Sequence, residues 1–178
     1  DRTAARAASG DAEGAVEAYL EQAASYGRVA SRAESLWRAA VITHVTLDQP
    51  ERAAELLETL IERYPDHKRV VDAHARMGLI HRHHNGDPIR AGLRWVAAAS
   101  VNPAHPEAGR WMLDAGLAFA DAGDVEHALT ALQVAASRPQ QAVAAWLAQG
   151  RLHLQSDPAQ AYSDYDAAFR AGADGEAR

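Results

Sequence analysis

The sequence predicts an all-α protein in which antiparallel helix hairpins repeat along the chain and stack as an α-solenoid of about ten helices. Three observations lead there. Apolar residues make up 48% of the chain but aromatics only 6%. Alanine supplies much of the difference, which favours helix, and β-branched residues are too sparse for an extensive sheet. A turn signal recurs as Gly10-Asp11, Asp48-Gln49-Pro50, Gly86-Asp87-Pro88, Gly123-Asp124 and Ser156-Asp157-Pro158. Five residues after the start of each turn stands an alanine, Ala15, Ala53, Ala91, Ala128 and Ala161, at spacings of 38, 38, 37 and 33.

Each anchor alanine opens an apolar helix face. Four residues on come Tyr19, Leu57, Trp95, Leu132 and Tyr165, and seven on come Gln22, Leu60, Ala98, Ala135 and Ala168. Only Gln22 departs from the i, i+4, i+7 pattern of a buried helix stripe. Prolines obey the same frame. Pro50, Pro88 and Pro158 lie three residues before their anchors, where a missing N–H at the first helical position costs nothing. Pro65, Pro103 and Pro139 lie twelve, twelve and eleven residues after theirs, where they are expected to stop the helix.

In chain order, Asp1–Ser9 is expected as the remnant of an incomplete first helix, followed by the Ala15 helix. Further helical patterns cover Ala33 to Thr46, Val70 to His84, Pro106 to Ala122 and Gln140 to Gln155, alternating with the Ala53, Ala91, Ala128 and Ala161 helices. The expected organisation is a single array over 1–172, in units of about 1–27, 28–65, 66–103, 104–139 and 140–172, with a polar tail at 173–178. A unit of two helices cannot bury its apolar face alone, so neighbours must stack.

Net charge is −6 with no basic run, which disfavours nucleic acid as a partner. There is no cysteine, which excludes disulfides, thiolate metal sites and a cysteine nucleophile. No apolar run is long enough for a transmembrane span, and no signal peptide is visible. Lys68 is the only lysine, a usage that points to a GC-rich bacterial genome. The compartment, cytoplasmic or periplasmic, stays open.

These residues resemble the tetratricopeptide repeat (TPR). Ala53-Leu57-Leu60-Pro65, Ala91-Trp95-Ala98-Pro103 and Ala128-Leu132-Ala135-Pro139 match the second helix of that repeat. Trp37 matches its first-helix Trp, and Gly116 with Phe119 its first-helix Gly and Tyr. Val41 and His44 stand at those Gly and Tyr positions in the second unit. The long period, with "LIERYPDH" and "VNPAHPEAG", is similar to repeats of bacterial envelope assembly and periplasmic coordinator proteins.

The resemblance implies a protein-interaction scaffold whose first helices line a concave groove. Carried over residue by residue, the groove positions are Arg38, Ile42, Arg76, Ile80, His83, His84, Arg110, Leu113, Leu117, Trp146 and His153. Such a lining fits a protein or peptide segment that is acidic with apolar anchors. Ile42, Ile80 and Leu117 stand where a carboxylate-clamp TPR needs asparagine, so that activity is not expected. The alternative reading is an oligomerisation or regulatory module of a larger bacterial protein, with self-association through exposed end repeats.

No phosphate loop, nucleophile elbow or His-Glu-x-x-His motif occurs, so no catalytic residue and no cofactor is expected. In "HRHHNGDP", His81 and His84 share one helix face while His83 points elsewhere. Asn85-Gly86 reads as a helix stop there, so the histidines are taken as a helix end and no metal is assigned.

Overall fold

The computed structural model describes residues 10–25 and 28–176, the last three as backbone only. The described residues form nine α-helices and no strand. They are α1 Ala12–Ala24, α2 Val29–Val45, α3 Pro50–Arg63, α4 Arg69–His83, α5 Pro88–Val101, α6 Ala108–Asp121, α7 Val125–Ala136, α8 Pro139–His153 and α9 Pro158–Glu176. The remnant helix expected at Asp1–Ser9 lies outside the described residues.

The recurring turn is visible in its caps. Asp11, Asp87, Asp124 and Asp157 each accept a hydrogen bond from the backbone N–H three residues on, at Gly14, Arg90, His127 and Gln160. This satisfies donors that the first helical turn leaves open. Gly10, Gly86 and Gly123 hold positive φ just before these caps, and Asp48 takes the same place with φ 52°. Pro50, Pro88 and Pro158 open α3, α5 and α9 at the first helical turn.

Two expectations need correcting. Pro65 and Pro103 fall in the connections after α3 and α5, but Pro139 is the first residue of α8. The connection after α7 is only Ser137-Arg138, so the proline that was to end one helix begins the next, where its fixed φ is equally welcome. The tail expected from residue 173 instead continues α9 to Glu176.

The chain divides into two compact units, Asp1–His84 and Asn85–Arg178. In the first, α1 packs on α2, α2 on α3, α3 on α4, and α2 also on α4. The core cluster of this unit runs through Ala33, Leu36, Ala53, Leu57, Leu60, Val70, Met77 and Ile80. In the second, α5 to α9 pack each on the next, and α6 also meets α8. All five anchor alanines are buried, none more than 1% exposed. Helix backbones approach closely there: a Cβ on Gly116 would lie 2.6 Å from Leu132 Cγ and 3.2 Å from the Ala128 carbonyl oxygen.

Candidate docking faces on the first-type helices

In the N-terminal unit, α2 and α4 are the helices at first-helix positions. Beside them, with α1, lies a cleft of about 650 Å³ lined by Tyr19, Gln22, Glu34, Ser35, Arg38, His67, Lys68 and Arg69, among others. Its wall is organised by Glu34. Arg69 donates to this carboxylate from Nε at 2.9 Å and Nη2 at 3.1 Å, and Arg38 donates from Nε at 3.3 Å. Arg69 also donates to Asp72 at 2.8 Å. The Arg69 hydrogen bonds hold the Glu34 carboxyl below the usual carboxylate range, and Glu34 in turn raises the Arg69 guanidinium. Arg38 donates to the Tyr19 hydroxyl at 3.3 Å. Arg38 and Lys68 are both exposed at the cleft.

Further along α2, two guanidinium groups lie over the Trp37 ring, Arg69 at 5.3 Å and Arg76 at 5.4 Å from its centre. Arg76 Nη1 donates to His44 Nδ1 at 3.2 Å. An arginine cannot accept, so His44 carries its proton on Nε2, which faces His84 Nε2 at 3.4 Å. Burial, then the charges of Arg76 and His84, push the His44 imidazole below its ordinary range. Burial also lowers the Arg76 guanidinium.

The predicted groove residues separate into groups. Arg38, His83 and His84 are exposed, and Ile42 is half-buried beside the Val16–Tyr19–Ala39 cluster. Arg76 is half-buried and already engaged with Trp37 and His44. Ile80 is fully enclosed in the core cluster and has no surface to offer a partner; a helix face predicted by register alone also contains the residues that turn inward. The histidine triplet does not converge, since His81 is buried while His83 is exposed. No group of three or more metal-capable side chains comes together among the described residues.

In the C-terminal unit, α6 carries Arg110 and Leu117 exposed and Leu113 half-buried. Arg110 is held only loosely, 3.6 Å from Glu107 and 3.8 Å from Asp114. On α8, Trp146 is half-buried. His153 is committed elsewhere: its Nδ1 lies 2.7 Å from Asp164 Oδ2, and Gln160 donates to the other Asp164 oxygen at 2.9 Å. Asp164 is 1% exposed, so this pair is a clamp between α8 and α9 and not an open binding position.

Reading by register missed Glu34, Arg69, Lys68 and Tyr19. One signal was available. Glu34 and Arg69 are 35 residues apart, close to one repeat period, so a stacked array places them on adjacent first-type helices.

No family model matches the sequence, and no curated protein matches it. Solved structures do. A structure of MamA superposes with a TM-score of 0.70 at 16% identity, covering 100% of this chain and 98% of that one. Another MamA structure gives 0.63 at 20% identity, covering 98% and 95%. A protein of Podosopora anserina described as a kinesin light chain with nearly identical TPR-like repeats gives 0.63 at 17% identity, covering 97% and 92%. With the helix order, the caps and the buried anchor alanines, these likenesses establish the fold: an all-α, TPR-like helical-repeat protein.

Proposed function

We propose that this chain is a non-catalytic protein-interaction scaffold that docks a partner segment on the exposed faces of its first-type helices. The observation that carries this reading is the cleft beside α2 and α4. Its wall is braced by the Glu34–Arg69–Asp72 network, and its exposed cations are Arg38 and Lys68. A braced wall with exposed charge at the rim suits an extended acidic segment better than a small molecule, which needs enclosure. On α6, Arg110 and Leu117 are both exposed, seven residues apart on one side of the helix.

The test is capture of partners from the source cell, followed by binding kinetics. Arg38→Glu with Lys68→Glu should slow association, and the loss should shrink in high salt, because exposed charges act by steering. Leu117→Ala should mainly speed release, because a desolvated contact acts only after docking. If captured partners bind every variant as wild type does, the first-type helix faces are not the docking surface.

A further inference from the structure

One helix face breaks the pattern of the others. The residue after each anchor alanine is Val16, Ala54, Gly92, Leu129 and Tyr162; eight residues after it come Ala23, Ile61, Ala99, Ala136 and Phe169. In α1, α3, α5 and α7 every one of these is buried or half-buried. In α1, α3 and α5 the following first-type helix covers them. Val16 clusters with Ala39 of α2, Ala54 and Ile61 pack on the cluster that includes Val70 and Met77 of α4, and a Cβ on Gly92 would strike Phe119 of α6 at 2.7 Å. In α9 the same two positions are aromatic, and Tyr162 and Phe169 stand 77% and 76% exposed. Among the described residues no other large apolar side chain is more open. Two aromatics left on the receiving face of the repeat continue its helix-on-helix interface without an occupant among the described residues.

The spacing on this face says what occupant fits. Ala159, Tyr162, Asp166, Phe169 and Ala173 follow one another at intervals of three, four, three and four residues, the seam of a two-helix pairing. The seam is self-complementary in size and charge. In an antiparallel pair, Phe169 of one copy meets Ala159 of the other, and the Tyr162 hydroxyl meets the other copy's Asp166. Large opposes small and donor opposes acceptor in both halves, as a two-fold interface requires. Asp166 is held by Arg170 one turn away, so each copy brings one negative and one positive group to the seam, and like charges are not left facing alone.

We infer that α9 is a self-association surface and that its occupant is α9 of a second copy of this chain, paired antiparallel about a two-fold axis. One helix pair buries less than a standard interface, so the dimer is weak and its population depends on concentration. This inference does not rest on the docking faces of α2, α4 and α6, which lie on other helices.

The experiment is sedimentation equilibrium of the full 178-residue chain from low micromolar to near-millimolar concentration. The expected result is a monomer–dimer equilibrium. Phe169→Glu should weaken it by at least tenfold, and Ala159→Glu, which sets a carboxylate against the partner's Phe169, should do the same. Both residues are exposed, so both variants should keep the wild-type melting temperature at low concentration. Phe169→Leu should retain most of the association, because it keeps an apolar side chain opposite Ala159. A chain that stays monomeric throughout, or a dimer that survives Phe169→Glu, overturns the inference. Failure of peptide docking with dimerisation intact would instead sink the proposed function alone.

Discussion

The two units close their hairpins by different means on the same repeat frame. In the C-terminal unit, contact between first- and second-type helices is steric. Gly116 lets α6 approach the Ala128 backbone and Leu132, and Gly150 leaves room for the Tyr165 ring at 2.7 Å from where a Cβ would be. In the N-terminal unit α2 has no glycine, and Val41 stands half-buried at the matching position. There the first-type helices are tied laterally by polar groups: Arg69 to Glu34, Arg76 to His44, and both arginines over Trp37. The difference teaches that the anchor alanine is the shared requirement, while the opposing surface is free to be a glycine notch or a charged lattice. It also places the exposed cation cleft in the unit that already uses charge for cohesion.

The largest effect that would test this contrast is steric. Gly116→Val should destabilise the C-terminal unit by about 2–3 kcal/mol in urea unfolding, since the new atoms meet Leu132 and backbone. Val41→Gly in the other unit should cost only about 1 kcal/mol, the helix-propensity difference with a small packing loss. Equal effects would show that the glycine notch is not special. Next in size is the lattice. Glu34→Gln should cost about 1 kcal/mol, a charge-assisted network discounted for its partial exposure, and the loss should fall as salt rises.

A smaller effect follows from pH. His44 is held neutral by burial and by Arg76, so its folded value lies below the ordinary imidazole value of about 6.5. The unfolded chain then takes up the proton first. Stability from this site is full above about pH 6.5 and is lost as pH falls through the lower folded value. The groups around His44 are Arg76, His84 and Asp48; Asp48 favours the proton and the other two oppose it. His44→Gln should flatten the stability profile of wild type between pH 7 and 5, as read by urea midpoints. A profile of unchanged slope would remove His44 as the cause. The smallest effect is at the turn: Asp48→Gly should stabilise by up to about 1 kcal/mol, because it relieves a left-handed residue that three sibling turns fill with glycine.

Much of the fold was legible because one period governs several residue types at once. Anchor alanines, capping aspartates and opening prolines must all agree in register, and a stacked repeat enforces that agreement. Pro139 was misread because proline is at home both after a helix and at the start of one, and only the length of the intervening turn distinguishes the two. The candidate site was legible only in outline. Register placed Arg38, Arg110 and Leu117 on outward faces, yet it also selected Ile80, which is core, and His153, which Asp164 engages. A side chain's partners from the next repeat decide whether it is offered or consumed. Those partners sit one period away, where single-helix periodicity does not look. The His44–His84 approach, 40 residues apart, is of the same kind.

The packing order has a kinetic consequence. Among the described residues, every substantial helix contact joins neighbours in sequence or neighbours once removed. Little chain must be drawn together before a contact forms, so the entropic cost of loop closure stays low at each step. Folding should therefore be fast for a chain of this length and should be able to begin at more than one hairpin. The glycine-notched hairpins α6–α7 and α8–α9 are the natural places for it to start, since backbone contact there is established without first positioning any charged side chain. Mechanical load applied to the chain ends would be resisted locally, hairpin by hairpin, and not by one cooperative lock.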